Sequence, residues 1–314
     1  MSMRRRLASS TPVAVTVSTW RQKFGQKSYP YLFIAPFFIL FAIFGLFPYL
    51  YAFLLSFMHW DGIGPQTWIG LDNYRALLTD SLWWQSLYNT FWLLVVTAVN
   101  LPLALGLAFM VNSKFVRFRH FFRSAYFMPM VAAPVAVATI FLGLFGDKYG
   151  VLNYLLAPFG VPTIDWMNDS FWVKPAIAIV VIWSLFGWNV IIYLAGLQAI
   201  PPELYEAAAC DGATTRQIFF GITVPLMWPV INFTLILSII GGLQLFDIPM
   251  ILMSNGGSMG SGGPGNSGLT TMMYLYNTGF RYLDFGYSSA ISIGLFIIIL
   301  VFSFVYYKAI SRKR

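Results

Sequence analysis

Charged residues and cysteine are both scarce in this 314-residue chain. Asp, Glu, Lys and Arg make up 10% of it, whereas they make up about a quarter of a typical soluble domain. Hydrophobic residues make up 58% and the mean hydropathy is +0.71. This composition excludes an ordinary soluble globule, and it also excludes a disordered chain, which requires low hydrophobicity. The single cysteine, Cys210, excludes an intramolecular disulfide. The composition therefore predicts an all-α integral membrane protein.

The sequence also lacks the motifs of several function classes. The dipeptide Gly-Lys of a phosphate-binding loop never occurs, so the chain is not expected to hydrolyse ATP. No cluster of acids, histidines or serines suggests an enzyme, and we expect no catalytic residue and no metal site. Ion-coupled carriers need ionisable groups at membrane depth. Here Asp247 is the only acid inside a candidate span, so an ATP-independent secondary carrier is the less favoured alternative.

Long gaps between charged residues locate the membrane-spanning helices. Each gap exceeds the roughly 20 residues that a helix needs to cross the hydrocarbon core. They predict six spans, near residues 31–58, 87–111, 123–146, 174–198, 224–247 and 286–307.

The distribution of basic residues orients these spans. With the N-terminus inside, most of the 19 Lys and Arg lie on the cytoplasmic side, as the positive-inside rule requires. We therefore expect six transmembrane helices with both termini inside. The expected organisation is a basic cytoplasmic tail at 1–29, a membrane domain at 30–308 and a short cytoplasmic tail at 309–314. The net charge of +8 is then an orientation signal toward the lipid bilayer, and no nucleic-acid partner is expected.

The loop at residues 201–225 differs from the other cytoplasmic loops because it is not simply basic. Pro202 and Glu203 suit the first turn of a short helix, and Gly212 suits a turn that ends it. Thr214 or Thr215 can cap a second helix that runs to Ile222. These features predict a small helix–turn–helix under the membrane. From the residues alone it is either an interfacial connector or a docking site for a cytoplasmic partner.

The same loop carries a motif that resembles the EAA loop of permease subunits of ATP-binding-cassette (ABC) importers. The matching residues are Glu206, Ala207, Ala208, Asp211, Gly212, Ala213, Phe219, Ile222 and Pro225, without a gap. From about Tyr29 to Lys308, segments such as LSFMHWDG, WIGLDNYRALL and GGPGNS resemble carbohydrate-importer permeases related to the maltose and glycerol-phosphate systems. The chain departs from that family in a longer glycine loop, and it lacks the extra N-terminal spans of the maltose-system subunit.

The resemblance implies a type I importer permease with a MetI-like fold in the inner (plasma) membrane of a prokaryote. Its expected partners are a second permease of the same fold, two ATPase subunits and an extracytoplasmic sugar-binding protein. The chain itself is expected to hold no cofactor, because ATP and Mg²⁺ bind to the partner ATPases. Glu206 would pair with a basic group of the ATPase, and Gly212 would permit the turn that seats the helix.

The resemblance also suggests where the cargo passes. Residues at or near the family's sugar contacts are Ser184, Leu185, Trp188, Leu243 and Gln244. Asp247 is either a further sugar contact or, as we favour, an end-of-helix charge at the outer boundary. Gln244 is the strongest of these candidates, because a buried amide must find partners; packing against lipid is the alternative role for the apolar ones. A neutral mono- or oligosaccharide is favoured, because an anionic cargo would need Arg or Lys within the fourth and fifth spans. Glycerol phosphate or a polyol is the alternative cargo.

Overall fold

The computed structural model describes residues 31–112, 126, 128–147, 150–254 and 261–311. These residues divide into two units at Ala52–Phe53. The first unit is the body of one helix, α1, which runs Tyr31–Leu55 with a π-helical turn at Ala42–Leu46. The second unit contains all the remaining described elements. The predicted tail at 1–29 and the end of the tail at 309–314 lie outside the described residues.

The second unit is built almost entirely from helices. In chain order they are α2 (Asp72–Thr79), α3 (Ser81–Thr97), α4 (Asn100–Asn112), α5 (Pro134–Leu144), α6 (Val151–Leu156), α7 (Val173–Gln198), α8 (Pro202–Cys210), α9 (Thr215–Ile218), α10 (Val224–Leu243), α11 (Asp247–Leu252), α12 (Thr271–Tyr276) and α13 (Phe285–Ser311). A two-stranded antiparallel hairpin, β1 (Met58–His59) and β2 (Thr67–Trp68), departs from the all-α prediction. The prediction missed it because two-residue strands leave no periodic signal.

Five of the described segments are long and apolar enough to cross a membrane. They are Tyr31–Leu55, Ser81–Asn112, Val173–Gln198, Thr215–Leu252 and Phe285–Ala309. In place of the predicted third span at 123–146, the described helical residues are 126, 128–131 and those of α5, which has 11 residues and begins at Pro134. Residues 123–125 and 127 of that prediction lie outside the described part of the chain. The described helices thus confirm five of the six predicted spans.

Two buried clusters form the interior. The larger joins α3, α5, α7 and α11 to α13 through residues such as Leu93, Ile177 and Met273. The smaller joins α4, α7 and α10, where Ala104 and Ala108 are fully buried. Alanine side chains allow two helix backbones to approach closely, which is a common packing mode in membranes. Large apolar side chains remain exposed along α1 and α13, as lipid-facing helices require.

Asn89 ties together three separate segments at the end of the bundle where α3 and α7 begin. The side chain is 1% exposed. Its Nδ2 donates to the carbonyl oxygens of Asn266 (2.8 Å) and Leu269 (3.0 Å), and its Oδ1 accepts from Lys174 Nζ (3.2 Å). Gln85 adds a further bond to the carbonyl of Gly265 at 2.6 Å. The glycine turn before α12 is therefore held by amides of α3.

Asp80 forms a second tie at the same end. Its Oδ1 caps α3 by accepting from the Leu82 amide at 2.8 Å, and its Oδ2 accepts from the hydroxyls of Tyr274 and Tyr287. Burial raises the pKa of the Asp80 carboxyl, but these hydrogen bonds outweigh burial, so the pKa lies below its ordinary value. Asp80 thus joins the start of α3 both to α12 and to the start of α13.

Candidate functional site

The predicted helix and turn of the 201–225 loop are present. Helix α8 begins with Pro202 and Glu203 in its first turn, which suits the missing amide donor of proline and the positive helix end. It ends at Gly212, which has φ +74°. The amide of Gly212 donates to the carbonyl of Ala209 (3.1 Å), and that of Ala213 to the carbonyl of Ala208 (2.9 Å). This pair of bonds is a Schellman ending, for which glycine is the preferred residue.

Thr214, rather than Thr215, caps the second helix. Its hydroxyl accepts from the Gln217 amide (3.4 Å), while Gln217 Oε1 accepts from the Thr214 amide (2.8 Å), which completes a capping box. The helix does not end at Ile222 as predicted. It continues through a π-helical turn, Phe219–Thr223, into α10. Pro225 is the second residue of α10, which directly follows this π-helical turn.

The motif residues separate into an exposed set and a packed set. Glu206, Ala207, Asp211, Gly212 and Pro225 are exposed, whereas Ala208, Ala213, Phe219 and Ile222 are half-buried. On the packed side, the Phe219 ring lies 4.9 Å from that of Phe109 on α4. The Tyr205 hydroxyl of α8 lies 3.3 Å from Oγ1 of the buried Thr223. Helix α8 therefore presents one exposed face and packs against the rest through the other.

A cavity of about 150 Å³ lies between the α3–α4 segment, α7 and α10. Its walls are mostly apolar, with Leu185 and Trp188 from α7 and the Gly241–Gly242 pair from α10. Its polar lining includes Asn100 and Asn189, together with Thr234 and Ser238. A largely apolar pocket with a few converging polar groups is typical of small-molecule sites.

The two amides that line the cavity are under-bonded. Asn100 is 2% exposed, its Nδ2 makes a long bond of 3.5 Å to the carbonyl of Ile182, and its Oδ1 has no partner among the described residues. Asn189 is 6% exposed, and no residue in the described ranges hydrogen-bonds its side chain. An unsatisfied buried polar group costs about 1–3 kcal/mol. The cavity is therefore prepared for a polar ligand or for water.

The structure brings two of the six predicted pathway residues to this cavity. Leu185 and Trp188 line it and are 47% and 41% exposed. Ser184 is next to them, and its buried Oγ lacks a partner within the described residues. Leu243 is instead fully buried in the larger core cluster.

Gln244 and Asp247 are both exposed beyond the end of α10. The reason given for Gln244, that its amide is buried, is wrong, because the helix ends at Leu243 and the chain is unwound at 244–246. Close packing accompanies this break: a Cβ on Gly242 would lie 2.6 Å from Leu94 Cδ1 of α3. The freed carbonyl of Leu245 accepts from Thr270 Oγ1 at 2.8 Å. The roles of Gln244 and Asp247 in the pathway stay predictions.

Within the described residues, no group of three or more His, Cys, Asp and Glu side chains could hold a metal ion. Sequence reasoning did not select Asn100, Thr234 or Ser238 as pathway residues. The available signal was that Asn100, Thr234 and Ser238 are among the few polar side chains of otherwise apolar helices.

Residues 100–314 match the family model described as binding-protein-dependent transport system inner membrane component. The chain is 39% identical over 302 residues to the arabinooligosaccharide transport permease AraP of Bacillus subtilis, with 95% of this chain and 93% of the relative covered. It is 38% identical to the lactose transport permease LacF of Rhizobium radiobacter, covering 90% and 94%. A chain of a bacterial ABC transporter that imports the acidic polysaccharide alginate has the same fold, with a TM-score of 0.80, 24% identity, and 93% and 98% covered.

Proposed function

Because the chain belongs to the family of binding-protein-dependent inner membrane transport components, and is a permease of the carbohydrate ABC-importer type that is not itself an enzyme, we propose that it forms half of the translocation pathway of an ATP-driven sugar importer. The observation that supports this proposal is the continuous chain of helices after the turn at Gly212. Helix α9 continues into α10 without a break, and α10 lines the cavity. A displacement of the exposed α8 therefore has a direct mechanical route to the cavity wall.

The proposed mechanism begins at α8. ATP closes a dimer of partner ATPase subunits, which hold the nucleotide and Mg²⁺, and α8 moves with the subunit on which it is seated. Glu206 lies on the exposed face and would pair with a basic group of the ATPase. The bundle and the second permease then alternate between inward- and outward-facing states. Reversing a population from 1:99 to 99:1 requires about 5.5 kcal/mol of differential binding.

We propose six spans with both termini in the cytoplasm, and the domain limits 1–29, 30–308 and 309–314. Helix α5 is about 16 Å long at 1.5 Å per residue, roughly half the thickness of the hydrocarbon core. The remainder of the third span would come from the residues that precede Pro134. In this topology α8 is cytoplasmic, while Asp80, Asn89 and the glycine turn are on the outer side, where the sugar-binding protein delivers its cargo.

The chemistry of the cavity supports a saccharide. Sugars present hydroxyl groups that amides can bind and apolar ring faces that stack on aromatic side chains. Asn100 and Asn189 supply the amides, and Trp188 supplies the ring. Relatives are named as permeases for arabinooligosaccharides, for lactose and for trehalose/maltose. A mono- or oligosaccharide is thus favoured over glycerol phosphate or a simple polyol.

The function is tested by isolating the tagged chain in mild detergent and identifying what is purified with it. We expect an ATPase and a second permease, together with ATP-dependent sugar uptake in reconstituted vesicles. Glu206→Ala is expected to reduce that uptake at least tenfold with unchanged membrane insertion. Glu203→Ala, an exposed acid on the same helix, is the matched control. Uptake by this chain alone and without ATP would contradict the proposal and indicate a secondary carrier.

A further inference from the structure

Lys174 lies in an aromatic setting at the outer start of α7. Its Nζ is 4.8 Å from the centre of the Tyr88 ring and 5.9 Å from that of Trp92, both on α3. Its Nζ donates to Asn89 Oδ1 at 3.2 Å. No carboxylate among the described residues lies within 4 Å of it. Among those residues, a half-buried ammonium group thus lies beside two aromatic rings without a counter-charge.

Lys174 is on the same face of α7 as the residues that line the cavity. Positions 174, 181, 185, 188 and 192 follow the alternating three- and four-residue spacing of one helical stripe. From Lys174 to Leu185 there are 11 residues, about three turns, with an angular offset of about 20° and a rise of about 16 Å. The ammonium group is therefore at the outer end of the stripe that continues into the cavity.

The hydrogen bonds of Asn89 hold its side chain in place beside Lys174. Both hydrogens of the Asn89 amide group are used on the carbonyls of Asn266 and Leu269, so its Oδ1 is aimed at the ammonium. An ammonium carries three donors, and this bond uses one. The other two are available to a ligand between the rings. An anionic group is the complementary ligand, and the neighbouring rings offer apolar faces to a sugar.

We propose that Lys174, Tyr88 and Trp92 form an outer recognition site for a saccharide that carries a carboxylate or sulfonate. This inference rests on the proposed import function and refines its substrate class. The sequence favoured a neutral cargo because the only cation of the predicted fourth span, Lys174, is at its edge. In the structure, Lys174 is in the first turn of α7 and leans onto α3. Among relatives, one is named as a permease for sulfoquinovosyl glycerol, an anionic sugar derivative.

The test is a binding titration of the full chain in nanodiscs of phosphatidylcholine, followed by tryptophan fluorescence. Glucuronate is the acidic probe, and glucose is its neutral match. We expect at least about tenfold tighter binding of glucuronate by the wild-type chain. Lys174→Gln is expected to abolish that preference, so that the variant binds glucuronate and glucose with equal affinity. Lys174→Arg is expected to retain it, and the melting temperature of each variant checks that it is folded.

Equal affinity of the wild-type chain for both probes, or an unchanged preference in Lys174→Gln, would overturn the inference. ATP-dependent uptake and its sensitivity to Glu206→Ala are measured in parallel. They report on the import function itself, so its failure is distinguishable from failure of this site.

Discussion

The end of the helical bundle where α3 and α7 begin, which the proposed topology makes the outer end, and the end that carries α8 are held together differently. At the outer end, Asn89 and Asp80 bond to groups that are about 180 to 200 residues away in the chain. At the other end, the backbone bonds of α8 and its turn are local and join residues 201–218 to one another. A side-chain bond from Tyr205 to Thr223 connects α8 to the span beyond it.

Under the proposed mechanism, the end held by Asn89 and Asp80 is a rigid frame and α8 is the part that moves. Displacing an outer segment would break long-range bonds and leave buried polar groups unsatisfied, at about 1–3 kcal/mol each. Helix α8 and its capped turn keep their local bonds when they are displaced together. Under the proposed mechanism, α8 is therefore the segment whose displacement breaks the fewest long-range bonds. Four substitutions test this contrast, in order of decreasing expected effect on stability.

Asn89→Ala is expected to have the largest effect, about 2–4 kcal/mol of unfolding free energy, because it leaves two buried carbonyls without donors. The measurement is a denaturant or thermal unfolding curve in detergent. Gln85→Ala is the control on the same helix, since it removes a single hydrogen bond to the same turn that is less buried. Equal losses for both variants would contradict a frame centred on Asn89.

Tyr274→Phe is expected to cost about 1.5–3 kcal/mol at neutral pH, because it removes a donor to the ionised Asp80 carboxylate. The pKa of Asp80 is lowered in the folded state, so its contribution is present above its unfolded pKa of about 4 and is lost as the pH falls through the folded value. The stability difference between Tyr274→Phe and wild type should therefore narrow on acidification. A difference that is constant from pH 7 to pH 3 would exclude this role of the charge.

Gly212→Val is expected to cost about 1–2 kcal/mol, because a β-branched residue is strained at φ +74°. Uptake should fall far more than stability does, because the turn seats α8. Gly212→Asn is the matched variant, since asparagine tolerates the left-handed conformation, and it should retain most of the uptake. Normal uptake by a folded Gly212→Val protein would remove the turn from the coupling mechanism.

Tyr205→Phe is expected to change stability least, by about 0.5–1.5 kcal/mol, since only one hydrogen bond is lost. Its effect should appear in coupling: ATP hydrolysis by the assembled complex continues, and less sugar is transported per ATP. The ratio of the two rates is the measurement. An unchanged ratio would show that α8 acts on α10 without this bond.

The structure of the 201–225 loop was largely predictable because it depends on interactions between residues that are close together in the chain. A proline-started helix, a glycine ending and a threonine cap follow from neighbouring residues, and Gly212 and Thr214 have the predicted roles. The five confirmed spans were likewise visible as uncharged stretches.

The cavity was not predictable in the same way. Asn100 and Asn189 are far apart in the chain and meet only because α4 packs on α7. The error at Gln244 has a related cause. Sequence places it in an apolar run, and only the unwound segment after Leu243 shows that it is exposed. The site at Lys174 depends on rings from another helix, which charge counting does not reveal.

The π-helical turn at Phe219–Thr223 sets the rotation of α8 about the axis of α10, the span that follows it. Such a turn accommodates about one more residue than an α-helical turn, and each residue of an α-helix rotates the chain by 100°. Removing one residue there would restore a regular helix and swing α8 about a quarter of the way around the α10 axis. The helix would still be covalently joined and well formed, yet its exposed face would point away from the ATPase proposed to bind it.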